Sequence, residues 1–347
     1  MIYLISQEWL NTRENHCGMK YLAQKLESLY PSIYTSVNIE NLYDIYVKSS
    51  NKYISKLQKI FSYWKMRQLY KRTAQFLSLN LKDDDVVFFL EYLERDIPQD
   101  VAMKVLKKKN PHVKRWIMIH LVPREIERQW NVTEIQKELF EIDKVFTLGS
   151  SLSEYLQTFI KDRNTVVTSF HYVDEYYFAA PRVSNKKMEV IAIGNQMRNI
   201  DLLCQLVKNN PNINFTICQG VCDFSLLFSD CKNVKLIPFI KESQLKEIMI
   251  NADVSLNVMK DTIGSNVIVT SLAMSLAMIV SDVGSIRNYC DSSCALFCNN
   301  DVSDFTEKLE ILDKDRDLLN RLKEGAFKKA QDFRIETFQK QIIGQIL

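Results

Sequence analysis

Short apolar runs alternate along the chain with longer stretches of helical spacing. In the first half the runs at 2–6, 86–90, 115–119, 144–148 and 166–170 predict strands. Helices are predicted there at 18–29, 99–109, over a polar segment reaching 141, and at 151–160. The second half repeats the alternation, with strands at 188–193, 214–218, 234–239, 254–257 and 278–281. Helices are predicted at 199–208, 243–251 and 267–276, before two or three terminal helices over 302–346. Strands joined by helical crossovers make parallel sheets covered on both faces, so the pattern predicts an α/β protein of two doubly wound domains. The run 179–187 breaks both periodicities and carries turn residues, which sets the domains at 1–180 and 181–347. Ligands of open sheets bind beyond the carboxyl ends of the strands, and a cleft between the domains is the expected site.

Composition narrows the class. At 347 residues the chain exceeds what one hydrophobic core usually serves. Its 46% hydrophobic and 25% charged residues are those of a soluble globular protein, and a net charge of +3 is too small to point to nucleic acid. No apolar run approaches the ~18 residues of a spanning helix. Residues 2–6 enter a strand with no basic leader, so a cytoplasmic protein is expected. The cysteines show no paired framework. Cys290, Cys294 and Cys298 are spaced by four with no histidine nearby, which is wrong for zinc, and the thiols read as buried and reduced.

Three stretches carry candidate chemistry. At 262–284 a turn at Gly264 leads into an apolar helix, with Ser265 or Asn266 placed to cap it. A helix start among small residues has open amides and a partial positive charge that suit a phosphate; an ordinary turn before a core helix is the other reading. At 52–77 seven lysines and arginines meet no acidic residue and are interleaved with Tyr53, Leu57, Ile60, Phe61, Trp64 and other apolar residues. Such a helix fits the face of an anionic membrane, or it packs as a solvated helix on its domain. Asp83-Asp84-Asp85 has the composition of a metal-nucleotide motif, but it precedes a strand where catalytic loops follow one, and it reads as a solvated turn.

In the second half Phe170-His171-Tyr172-Val173-Asp174, then Ile193-Gly194-Asn195-Gln196-Met197-Arg198-Asn199-Ile200-Asp201, resemble the linker and first loop of GT-B-fold glycosyltransferases of the family-four type. The resemblance continues through Val234-Lys235-Leu236-Ile237-Pro238-Phe239, Ala252-Asp253-Val254 and Ser281-Asp282-Val283-Gly284-Ser285, covering residues 165–300. It is weaker in the first half, where Asn15-His16-Cys17-Gly18 stands at the family's acceptor-side loop and Ile119-His120 at its donor-facing histidine. It implies two Rossmann-like domains facing a cleft and a cytoplasmic, membrane-peripheral enzyme. The implied reaction is retaining transfer of a sugar from a nucleotide-diphosphate donor to a glycan or lipid-linked acceptor in surface polysaccharide biosynthesis. No nucleic acid, cofactor or metal is implied.

Residue by residue, Arg198 matches the basic group on the donor diphosphate, and a guanidinium fork suits two phosphate oxygens. Gly194 lies in the loop itself, and the helix start at Gly264, Ser265, Asn266 and Val267 supplies amides. Pro238 and Phe239 fall where a nucleotide base meets an apolar wall, or else they end a core strand. His120 matches the histidine at the sugar, although a lone histidine after an apolar strand is otherwise a packing residue. His16 and Gly18 fall on the acceptor side. Two departures stand out. Asn195 replaces an arginine, and the family's Glu-x7-Glu acids are Thr262 and Thr270, with Asp261 one residue away from the first. Thr270 keeps a neutral hydroxyl for a ribose. The lost acids also admit a non-catalytic GT-B-fold binding or accessory protein, and the fold admits a nucleotide-sugar epimerase.

Overall fold

The first apolar run forms strand β1 (Ile2–Glu8), and the chain then alternates helices with parallel strands. The computed structural model describes residues 1–9, 12–160 and 162–346. It divides into two compact units, Met1–Ser169 and Phe170–Leu347. The first unit continues through α1 (Met19–Leu29), β2 (Tyr34–Glu40), α2 (Tyr43–Tyr46), α3 (Lys52–Leu77), β3 (Val86–Tyr92), α4 (Gln99–Lys109) and β4 (Lys114–Ile119). After these come α5 (Pro123–Gln129), α6 (Val132–Leu139), β5 (Lys144–Thr147), α7 (Ser150–Gln157) and β6 (Val166–Thr168). Its six strands pair in parallel in the order β2-β1-β3-β4-β5-β6. The chain reverses its direction of travel across this sheet between β1 and β3.

Helix positions follow from burial. In α1, Met19, Leu22, Ala23 and Leu26 recur at helical spacing and all are buried. In α3 the buried stripe is Met66, Tyr70, Ala74 and Leu77, and the Asn51 side chain caps the start by accepting from the amides of Tyr53 and Ile54. The polar segment after β4, expected as one helix, is two. Asn131 interrupts it and starts α6 with a capping box to Glu134.

The second unit contains β7 (Glu189–Ala192), α8 (Ile200–Asn209), β8 (Asn214–Gly220), β9 (Val234–Pro238), α9 (Glu242–Ile250), β10 (Val254–Asn257) and α10 (Asn266–Ala273). It goes on with β11 (Ala277–Ser281), α11 (Ile286–Tyr289), β12 (Ala295–Cys298), α12 (Val302–Lys314), α13 (Arg316–Lys329) and α14 (Ile335–Ile343). The parallel sheet has the order β12-β11-β10-β7-β8-β9, the order of dinucleotide-binding sheets, with its reversal between β7 and β10. Residues 170–180 bond to this unit, Val173 N to the Phe333 carbonyl at 2.7 Å and Ala179 N to that of Ala273 at 3.0 Å. Behind the sheet, Asp253 is wholly buried. It accepts from Asn185 and from the Lys323 ammonium at 3.2 Å.

Two strands, β2 and β12, were not expected, and both lie at sheet edges. In β2 the edge position leaves much of the strand to polar residues, whereas β12 is a short apolar run among the cysteines that the strand reading passed over. The acidic turn also differs from expectation. Asp83 and Asp84 are exposed, but Asp85 is buried and accepts from the Lys82 amide at 2.8 Å. All eight cysteines are free; five are buried, Cys17 and Cys231 are half-buried, and Cys222 is exposed, contrary to the reading of uniformly buried thiols. Among the described residues no helix is long and apolar enough to cross a membrane.

Candidate functional site

The reversal point of the second sheet brings two loops together, 193–199 after β7 and 258–265 after β10. They are stitched by backbone bonds: Asn199 N to the Val258 carbonyl at 2.9 Å, Lys260 N to that of Met197 at 2.8 Å, and a bridge between Arg198 and Met259. Most of the predicted donor-site residues of this unit lie on these two loops. Gly194 has φ +81°, and a Cβ there would stand 3.1 Å from the Val267 side chain in the first turn of α10. The turn therefore presses against the helix start, and only glycine fits it without strain.

On the other side of this turn, side chains reach over the end of β8. Asn195 Nδ2 donates to the Gln219 carbonyl, while its Oδ1 is buried without a hydrogen-bond partner among the described residues. Arg198 Nη1 and Nη2 each lie 3.4 Å from the Cys218 carbonyl, and the guanidinium sits 6.0 Å from the centre of the Phe224 ring. These are long contacts for a donor fork. Among the described residues Arg198 makes no ion pair. Burial pushes its pKa down to about 10, so it remains a cation at neutral pH with no internal counter-charge.

Helix α10 starts as the sequence suggests. Ser265 is its N-cap, with Oγ accepting from Ile268 N at 3.3 Å. The Gly264 amide is already committed to Thr262 Oγ1 at 2.9 Å, which leaves the amides of Ser265, Asn266 and Val267 as the donors without a partner among the described residues. Asn266 Oδ1 is buried without a partner among the described residues. Gly264 has φ +97°, and its missing side chain makes room for the Tyr289 ring, which a Cβ would meet at 2.1 Å. Gly284, at φ +53°, leaves room in the same way for the Thr262 carbonyl and Asp261.

The two threonines at the positions of the family's acids face inward. Thr262 is buried, its hydroxyl accepting from Gly264 N and its carbonyl accepting from Ser285 N at 2.7 Å. Thr270 is also buried, and its hydroxyl donates to the Asn266 carbonyl at 2.7 Å, a bond within its own helix that leaves only acceptor capacity. Asp261 Oδ1 accepts from Thr262 N at 2.7 Å and is half-buried. Lys260, beside it, is exposed and makes no ion pair among the described residues. Sequence reasoning passed over it; a lone basic residue in the loop after β10 was the available signal.

Farther along the same sheet edge, Pro238 pairs with Gly220, which touches Asn195. Ile237 is buried, but Pro238, the last residue of β9, is exposed and Phe239 is 52% exposed, so neither side chain packs in the core.

The remaining predicted residues belong to the first unit. His120 follows β4, with Nε2 donating to the Leu90 carbonyl at 2.7 Å. Burial pushes its pKa down to about 4, so the ring is neutral at pH 7. His16 packs on Tyr21 with the rings tilted by 52° and their centres 5.2 Å apart, and Gly18, at φ +92°, is the N-cap of α1. The reversal between β1 and β3 holds a carboxyl that the sequence did not flag. Glu91 accepts from Gln7 N at 2.7 Å, and burial raises its pKa to about 8. Among the described residues no group of three His, Cys, Asp or Glu side chains is placed to hold a metal ion.

Two parallel sheets with these reversal points define the class: an α/β protein of glycosyltransferase-like GT-B fold. Solved structures agree. The chain is similar to a sucrose-phosphate synthase from Thermosynechococcus elongatus, with TM-score 0.75 and 12% identity over 99% of each chain. Similar too is HepE of Anabaena in complex with UDP and glucose, with TM-score 0.71 and 11% identity over 100% of this chain and 99% of that one. A glycosyltransferase from Rickettsia africae matches with TM-score 0.67 and 12% identity over 99% and 97%. At these identities what is shared is the fold. No protein-family model and no curated protein matches the chain in sequence.

Proposed function

We propose that the chain is a retaining glycosyltransferase that takes a sugar from a nucleotide-diphosphate donor held on its second unit. The observation that carries the reading is Arg198. A half-buried cation with no carboxylate partner among the described residues is unfavourable unless something anionic comes to it, and it stands at a sheet reversal where such folds bind nucleotides. A diphosphate lying over Gly194 would take the guanidinium on one side and the amides of Ser265, Asn266 and Val267, at the positive end of α10, on the other. Asn195 has no charge to add. Lys260 is placed to supply the second cation. Phe239 offers its exposed ring to the base, and Asp261 is the carboxylate available to the sugar hydroxyls.

In retaining transfer of this kind the acceptor approaches the face from which the nucleotide leaves. The C–O bond to the diphosphate breaks as the bond to the acceptor oxygen forms, and the acceptor proton passes to a leaving phosphate oxygen. The protein stabilises the charge that develops on the diphosphate, which is the task of Arg198 and the α10 amides. We assign His120 to the donor sugar. As a neutral ring it serves a hydroxyl as a hydrogen-bond partner rather than as a cation. His16 and Gly18 are assigned to the acceptor, a glycan or lipid-linked glycan of surface polysaccharide assembly.

We further propose that α3 touches an anionic membrane. Tyr53, Leu57, Ile60, Phe61 and Trp64 recur at helical spacing on one face and all are exposed, Tyr53 at 81%, with Lys52, Lys56, Lys59 and Lys65 flanking them.

A second reading has an observation of its own. With Thr262 and Thr270 both turned inward, the second unit lacks both family acids, as a non-catalytic binding protein would. Incubation with UDP-, GDP-, ADP- and dTDP-sugars separates the readings. Hydrolysis or transfer supports the transferase, binding without turnover the accessory protein, and an isomerised nucleotide sugar with no acceptor present an epimerase.

A further inference from the structure

The first unit holds a cavity of about 230 Å³ that the donor site does not use. It lies beyond β3, and its lining includes Tyr63, Tyr92, Glu94, Gln99, Trp130 and Glu138. The volume is below the ~300–1,000 Å³ of sites for drug-sized ligands, which suits a single ring.

The walls are built rather than incidental. Trp130 Nε1 donates to the Leu93 carbonyl at 3.0 Å, and the Arg95 guanidinium lies 4.1 Å from the centre of its ring, so the indole is held in one orientation. Tyr92 Oη donates to Glu138 Oε2 at 3.2 Å, which leaves the other carboxylate oxygen to accept. Gln99 is only 3% exposed, and its Nε2 has no hydrogen-bond partner among the described residues. A buried amide donor left unmade is unfavourable and rare, so it points to an acceptor that arrives from outside.

We propose that this cavity binds one uncharged pyranose ring of the acceptor glycan. Aromatic surface, a carboxylate acceptor and an amide donor together match a ring with apolar C–H faces and hydroxyls that both donate and accept. Asp100, Glu134 and Glu138 line the cavity against Arg95 and Lys137, and Glu94, whose pKa burial raises to about 7, adds part of a charge, an excess that disfavours uronic acids and phosphorylated sugars. That the ring belongs to an acceptor rests on the transferase reading; that the cavity binds a sugar does not.

Saturation-transfer NMR on the full chain with methyl glycosides of glucose, galactose, mannose and N-acetylglucosamine, and with glucuronate, tests the assignment. At least one neutral sugar is expected to bind with a Kd of about 1–10 mM, and glucuronate at least tenfold more weakly. Gln99→Leu and Glu138→Gln are each expected to weaken the sugar about tenfold while nucleoside diphosphate affinity is unchanged. A second readout does not depend on those variants folding. The Trp130 indole N–H resonance, assigned by Trp130→Phe among the four tryptophans, shifts on sugar addition. Binding of no neutral sugar, equal binding of glucuronate, sugar affinity unchanged in both variants, or an unmoved Trp130 resonance overturns the proposal. Sugar binding without nucleoside diphosphate binding retains this site and removes the donor site, and the reverse result removes this site alone.

Discussion

Replacing Arg198 by alanine is expected to separate affinity from stability. In the free protein the guanidinium is half-buried, its hydrogen bonds among the described residues are two 3.4 Å contacts to the Cys218 carbonyl, and its pKa is pushed down to about 10 from 12.5 by burial. A shift of that size corresponds to about 3 kcal/mol disfavouring the cation, and partial exposure leaves about half of it as real instability. Removing the side chain relieves that cost but also loses the contacts to the Cys218 carbonyl and the Phe224 ring, so the free protein should stay close to wild type in stability. The same change removes a charge-assisted contact to the diphosphate of about 1.5–3 kcal/mol, so Kd should rise tenfold to a hundredfold or more. Arg198→Lys should fall between, keeping charge and losing the fork. His120→Ala serves as the contrast: nucleoside diphosphate affinity should hold while transfer drops about a hundredfold, the lower range for a positioned polar group. The assay is calorimetric titration of nucleoside diphosphate beside thermal unfolding of each free variant. Equal affinity in Arg198→Ala and wild type would refute the diphosphate assignment, and full transfer activity in His120→Ala would return that histidine to packing.

Other consequences follow from particular groups. Asp253→Asn should cost about 3–5 kcal/mol in urea unfolding, because it strips the buried Lys323 of its carboxylate, and Asp253→Asn with Lys323→Met should recover much of the loss; an unchanged midpoint in the single variant contradicts this. Glu91 has a native pKa of about 8 against an ordinary 4.5, so the native state retains a proton that the unfolded chain has lost between those values, and stability falls as pH rises through that window. The loss is at most about 5 kcal/mol, and Glu91→Gln should be the more stable protein at pH 9 but not at pH 4.5. His120, lowered to about 4, gives the opposite slope below pH 6.5, so the comparison is cleanest above pH 7. Replacing Lys65, Arg67, Lys71 and Arg72 by glutamine should weaken sedimentation with anionic vesicles, at about 1 kcal/mol for each charge near the bilayer; unchanged sedimentation makes α3 an ordinary surface helix.

The fold was legible where a strand is buried on both faces and apolar, as most of β3 and β11 are, because such strands read as apolar runs. It was illegible at β2, where Thr35, Ser36 and Asn38 lie on an edge strand that need not be apolar. In the proposed donor site, loop identity could be read from Gly194, Arg198 and Gly264, since each needs a residue type that chemistry or backbone geometry restricts. What those residues touch could not. The Gly264 amide was expected to be open and is taken by Thr262, and the Thr270 hydroxyl turns into its own helix. Both depend on a side-chain rotation that no spacing encodes. Glu91 and Gln99 were passed over because their significance is burial, which a lone polar residue near an apolar run does not announce.

Hydrogen exchange of the full chain, with and without nucleoside diphosphate and with chelator present, tests the central claim most directly. Open amides at a helix start exchange freely until an oxygen accepts from them, so peptides spanning 193–199 and 264–268 should become protected on nucleotide addition while peptides from α12 and α13 do not change. Nucleotide binding without protection of these two loops, or protection confined to another part of the chain, would contradict the placement of the donor at the β7–β10 reversal.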